Sequence, residues 1–209
     1  MAATLESHAT IDLIGRMRTA TLLAHEKLDD LIMASVPFAN RENYACLLTM
    51  QYCLQRDFEP LYHDATLKAQ LPDLESRSRF ALVKMDMADL DLALPPVGEE
   101  PLALPLSDLA ASVGWLFVLE GSRLGAASLF RRAVALSLSE QFGARHLAGP
   151  PEGPAAAWRV FVQTVSALPL SEEDRNRATA GAIAAFEHAI GLTQQYIYAA
   201  TAKKGPVRA

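Results

Sequence analysis

Apolar residues recur along this chain at the three- and four-residue spacing of amphipathic helices, while the alternation expected of strands is nearly absent. Leu13, Ile14, Met17, Thr21, Ala24, Leu28, Leu31 and Ile32 make the first stripe, with Thr10 as the expected N-cap and Pro37 as the stop. Asn40 caps the next predicted helix, whose face carries Tyr44, Leu47, Leu48, Gln51, Leu54, Phe58 and Leu61. Pro60 is expected to kink or shorten its end. Helix resumes at Pro72 and Asp73 and continues through Phe80, Leu82, Val83 and Met85.

Pro95, Pro96, Pro101 and Pro105 then forbid a continuous helix across residues 94–105. Each side of this segment is short and helical, so it reads as a surface connection within one domain. Ser107 is the expected cap of a long mid-chain helix reaching about Leu138, and Gly143 and residues 149–154 break the chain again. Trp158, Phe161, Val162 and Val165 mark a short helix that stops near Pro169. Ser171 with Asp174 three residues on resembles a capping box, opening a last helix through Ala178, Ala182, Phe186, Ile190 and Ile197. The pattern predicts an all-α fold: one multi-helix domain over residues 1–209, of about seven or eight helices, with 1–9 and 202–209 as flexible tails.

Composition narrows the functions available. The net charge is -5 and only 7% of residues are aromatic, which argues against a nucleic-acid binder that lives on phosphate contacts. The most apolar run, around residues 110–119, falls short of the roughly 18 residues a membrane span needs. Neither a basic n-region nor a long apolar stretch opens the chain, so no signal peptide is expected. Cys46 and Cys53 are seven residues apart in a helical pattern. Two turns separate them by roughly 10.5 Å, too far for a disulfide. Two unpaired thiols suit a reducing compartment, and the expected location is the cytoplasm.

Two stretches carry candidate chemistry. His25 shares a helix side with Thr21, Leu28 and Ile32 and is expected to face inward, with Asp29 one turn later. A metal-ligating histidine usually passes its other ring N–H to a carboxylate or carbonyl, and His25 with Asp29 fits that arrangement. The same residues also fit a core histidine or an ordinary i,i+4 pair. In the second stretch, Gly114, Gly121 and Gly125 interrupt a strongly helical segment, each at a cost of about 1 kcal/mol relative to alanine. Their offsets place all three within roughly 20° of one line along the helix. Such a ridge without side chains admits either a closely packed helix or a flat ligand. Arg18, two turns before His25, and Arg131 and Arg132 beyond the glycines could hold the carboxylates of an anionic ligand. His8, His63, His146 and His188 show no partner pattern, and no zinc spacing, phosphate loop or G-x-S-x-G run is present.

Taken together, Thr21-Leu22-Leu23-Ala24-His25-Glu26-Lys27-Leu28-Asp29 and Leu119-Glu120-Gly121-Ser122-Arg123-Leu124-Gly125-Ala126 resemble the proximal and distal helices of a bacterial haem oxygenase. The resemblance spans most of the chain. It implies haem held between the two helices as both cofactor and substrate, with His25 as axial iron ligand and Asp29 supporting it. By the same resemblance Gly121, Ser122 and Gly125 form the distal catalytic surface, and Arg18 and Arg132 lie near the propionates. Animal relatives carry an aspartate directly after the first distal glycine, where it orders water; here that position is Ser122. The implied reaction uses O2 and external electrons to give biliverdin, CO and ferrous iron. With no flavin or nicotinamide motif present, a ferredoxin or reductase would supply the electrons, and a phytochrome could receive the biliverdin. Two other readings stand beside this one: a haem carrier or sensor on the same fold, and a helical interaction domain without cofactor.

Overall fold

A computed structural model describes residues 12–97 and 102–198. Thr10, the ends expected as tails, and part of the proline-rich connection lie outside the described residues. Within them the chain forms seven α-helices: α1 (Leu13–Ala34), α2 (Arg41–His63), α3 (Ala65–Gln70), α4 (Phe80–Asp89), α5 (Leu109–Val134), α6 (Pro154–Ser166) and α7 (Glu172–Thr193). Short 3-10 turns occupy Glu75–Arg77 and Arg145–Leu147, and a π-helical turn, Gln194–Tyr198, extends α7.

Side-chain caps set most helix starts. Asp12 accepts the Gly15 amide at the start of α1, Asn40 the Asn43 amide at α2, and Asp64 the Leu67 amide at α3. The α5 cap is Asp108, one residue past the expected Ser107, because its carboxylate reaches the Ala111 amide. Ser171 and Asp174 form the reciprocal capping box at α7. The stretch read as one helix from Pro72 is divided: a 3-10 turn, then α4 from Phe80. Pro60 sits inside α2 only three residues before its end, too late to divide it. At its far end α5 closes at Val134, short of Leu138, where Ser137 adopts a left-handed backbone with φ of 60°.

Helix α7 is the axis of the molecule. It packs along both α1 and α5, and all three run in the same direction. Arg16 pairs with Glu172, His25 meets Phe186, and the Tyr198 hydroxyl donates to the Leu31 carbonyl. Across the other side, Arg177 pairs with Asp108 and His188 faces Trp115. Two apolar clusters fill the interior, one around Met17, Phe58, Leu116, Phe161 and Ala182, the other around Tyr44, Leu48, Met87, Leu138 and Leu192. Leu54 of α2 touches both, so the clusters form one continuous core of a single helical domain. No described helix is long and apolar enough to cross a membrane. Cys46 and Cys53 are not joined in a disulfide.

Candidate functional site

The buried stripe of α1 is confined to its first half: Leu13, Ile14, Met17 and Thr21 are buried, and beyond them the apolar positions are at most half-buried. This is why His25 does not face inward as the sequence suggests. Its side chain is 58% exposed, touching α7 through an edge-on contact with Phe186 at 5.7 Å between ring centroids. Nδ1 lies 3.4 Å from Asp29 Oδ2, which orients the ring while being long for a direct hydrogen bond. Nε2 has no partner among the described residues. The imidazole is therefore steered on one side and free on the other, as a metal ligand would be.

The three in-line glycines separate into two kinds. At Gly114 a Cβ would stand 2.0 Å from the Ala178 carbonyl oxygen, and at Gly181 of α7 one would stand 2.3 Å from the Ala111 oxygen. There the bland reading wins: absent side chains let α5 and α7 touch backbone to backbone. At Gly121 an added Cβ would make only ordinary contact, 3.8 Å, with the Trp158 ring, and at Gly125 it would meet nothing within 4 Å. The cost of two glycines in mid-helix thus has no return in protein packing at these positions. That open surface is what a flat ligand requires. Ser122, beside them, is exposed and donates its hydroxyl to the Leu119 carbonyl at 2.7 Å, leaving its oxygen lone pairs free to accept from water. Arg18, Arg131 and Arg132 are exposed, with no ion-pair partner among the described residues.

Beneath this surface lies a charge network that the sequence pattern does not reveal. Glu120, one residue before Gly121, is 1% exposed and accepts hydrogen bonds from Tyr62 Oη at 3.0 Å and Arg77 Nη1 at 2.9 Å. Arg123 Nη2 sits 3.1 Å from the same carboxylate and donates to the Arg77 carbonyl. Arg77 also binds Asp73 and the Ala157 carbonyl. Arg79, close by, donates to the His146 carbonyl through Nη1, while its buried Nη2 has no protein partner. Burial first, and then neighbouring Arg123, push the Arg79 pKa down to about 10. Burial, reinforced by the Glu120 charge, drives the Tyr62 hydroxyl well above its ordinary range. The one signal for this network in the sequence is a glutamate following the uninterrupted apolar run Val113 to Leu119, a helix segment buried on every side.

His146, which shows no partner pattern in sequence, is 4% exposed and bridges three elements. Its Nδ1 lies 2.7 Å from Asp86 Oδ2 on α4, and its Nε2 lies 2.6 Å from Gln51 Oε1 on α2. Burial lowers its pKa against the opposing pull of Asp86, whose own pKa is lowered by hydrogen bonds from His146 and Arg145 against the upward push of burial. Another half-buried histidine, His188, pairs with Asp57 at 3.0 Å. These are long-range contacts, and no local spacing announces them. Among the described residues no cluster of three or more histidine, cysteine or carboxylate side chains could hold a metal ion.

The family model described as Heme oxygenase matches residues 11–195. The chain is 43% identical over 171 residues to Heme oxygenase PigA of Pseudomonas aeruginosa, covering 82% of this chain and 86% of that protein. Among solved structures, the NO- and CO-bound haem oxygenase from Neisseria meningitidis superposes with a TM-score of 0.84 at 33% identity, covering 90% of this chain and 94% of that one. A family match across residues 11–195 and a relative 43% identical over most of both chains lead to one conclusion: the chain belongs to the heme oxygenase family.

Proposed function

We propose that haem lies between α1 and α5, with His25 Nε2 on the iron and the Gly121–Gly125 surface covering the opposite face. As a haem oxygenase the protein is an enzyme that degrades haem, its substrate and cofactor together, with electrons drawn from an external donor. The observation that carries the placement is the contrast among the glycines: Gly114 is consumed in helix packing, whereas Gly121 and Gly125 leave α5 bare. When bound, haem supplies the iron at which O2 is activated and the meso carbon that is attacked, giving biliverdin, CO and ferrous iron.

The chain's own residues orient and protect that chemistry. Asp29, 3.4 Å from Nδ1, is placed to orient the His25 ring and would strengthen Nε2 as a ligand on closing to hydrogen-bond distance. Gly121 and Gly125 bring backbone, rather than side chains, against the macrocycle. The Ser122 oxygen accepts from water at that surface, the task that an aspartate performs in animal relatives. Glu120, held by Tyr62, Arg77 and Arg123, fixes the rotation of α5 so that the bare side stays presented. Arg18 and Arg132, exposed cations without ion-pair partners among the described residues, would hold the propionates. A ferredoxin or reductase fits the need for electrons, a phytochrome is a fitting recipient of biliverdin, and two cysteines without a disulfide between them suit the cytoplasm.

The test is to mix the protein with haem, a reductant and O2 and follow the visible spectrum. Loss of the Soret band with growth of biliverdin absorption is expected. A stable spectrum under turnover conditions would leave only a carrier.

A further inference from the structure

The first turn of α2 touches both walls of the proposed cleft. Behind it, the Asn43 side-chain amide donates to the Ser35 and Val36 carbonyls at the end of α1, at 3.4 and 3.2 Å. Ahead of it, Arg41 donates from Nε to the Leu136 carbonyl at 2.9 Å and from Nη2 to the Ser137 carbonyl at 3.0 Å, just past the end of α5. The Arg41 guanidinium also lies 5.9 Å from the Phe142 ring centroid, and the buried Tyr44 hydroxyl donates to the Gly143 carbonyl at 2.8 Å. Both turns gripped in this way contain a non-glycine residue in the left-handed region, Val36 at φ 44° and Ser137 at φ 60°. Such conformations persist only where surrounding contacts hold them.

The geometry points to Arg41 as a positioning residue that fixes the spacing of α1 and α5 at their C-terminal ends and so sets how tightly haem is held. This rests on haem lying between those two helices. Elsewhere α1 and α5 pack along α7 rather than on each other, so their separation depends on α7 and on this clasp. The lever arms are similar: Ser35 lies ten residues beyond His25, roughly 15 Å along a helix, and Ser137 lies twelve beyond Gly125, roughly 18 Å. A guanidinium suits the task because its fixed fork reaches two carbonyls at once, whereas an ammonium on a flexible stem cannot hold both in one geometry. Arg41 is itself exposed and touches neither the candidate iron ligand nor the glycine surface.

The experiment compares the full-length protein with Arg41→Met and Arg41→Lys. Haem dissociation into an excess of scavenging apoprotein is measured, together with the iron–imidazole stretch of the ferrous complex by resonance Raman. Arg41→Met should release haem about tenfold faster, the factor expected if the two hydrogen bonds from this exposed guanidinium no longer restrain the bound geometry. Its iron–imidazole band should broaden or shift, and Arg41→Lys should fall between Arg41→Met and the wild type. Dissociation rates of both variants within twofold of wild type, with an unchanged stretch, would overturn the inference. If wild-type protein instead binds haem without using His25, shown by an identical spectrum in His25→Ala, it is the placement of haem that fails.

Discussion

Alanine substituted at Gly114 and at Gly125, two of the in-line glycines of α5, should produce opposite effects on stability, and the difference tests the whole arrangement. In an exposed helix interior alanine is favoured over glycine by about 1 kcal/mol, because glycine loses more backbone freedom on folding. At Gly125 nothing lies within 4 Å of the new methyl, so this gain should be realised almost fully in the apoprotein. For a domain of this size 1 kcal/mol corresponds to a rise in Tm of roughly 2–4 °C. At Gly114 the methyl would stand 2.0 Å from the Ala178 oxygen and 2.7 Å from the Ala182 nitrogen. Restoring normal contact requires α7 to withdraw by roughly 1 Å or more along its main interface. Overpacking of this kind costs about 1–3 kcal/mol and more where backbone must move, so Gly114→Ala should lose about 2 kcal/mol net and several degrees of Tm. Thermal melts of the apoproteins give the signs. Haem titrations of the same proteins give the second half: Gly125→Leu should bind haem much more weakly while melting no lower than wild type. Should Gly125→Ala destabilise the apoprotein as Gly114→Ala does, the surface is already covered by protein. Should Gly125→Leu bind haem as wild type does, haem does not lie there.

Other expectations follow from single contacts. His25→Ala should fold with an apoprotein Tm close to wild type, since the ring is more than half exposed, yet lose the histidine-ligated haem spectrum and biliverdin formation; an unchanged spectrum removes it as ligand. Glu120→Gln leaves Arg77 and Arg123 buried without their shared carboxylate and should cost about 3 kcal/mol or more in urea unfolding, whereas a loss below 1 kcal/mol would mean the network is solvated. Acid should destabilise the fold through His146 and Asp86, both of which bind protons less readily folded than unfolded. The His146 contribution is complete above its usual 6.5 and is lost as pH falls below it, at up to about 1.4 kcal/mol per unit, with Asp86 following below its usual 3.8. Equilibrium unfolding between pH 8 and 4 checks this, and His146→Gln should flatten the slope between pH 6.5 and 5.

Some of the protein was legible in its sequence because the relevant physics is local. The period of apolar residues fixed α1, α2, α5 and α7, and the Asn40 and Ser171 caps act on amides two or three residues away, so their geometry is written in the chain. His25 with Asp29 is likewise an i,i+4 relation, and the pairing of that stretch with Leu119–Ala126 marked the family. What packs opposite a residue is not local, and there the tertiary structure decided. Gly114 and Gly125 are equivalent by helical phase, but α7 lies against only the first. The side of α1 that carries His25 looks like core by its neighbours, yet the described elements cover it only partly in the second half of the helix. Arg77 finds Glu120 and Arg123 across 43 and 46 residues of chain, and His146 finds Asp86 across 60, which no spacing rule encodes. A buried charge is tolerated only where partners converge from several helices, so those partners exist as a group only once the helices have docked.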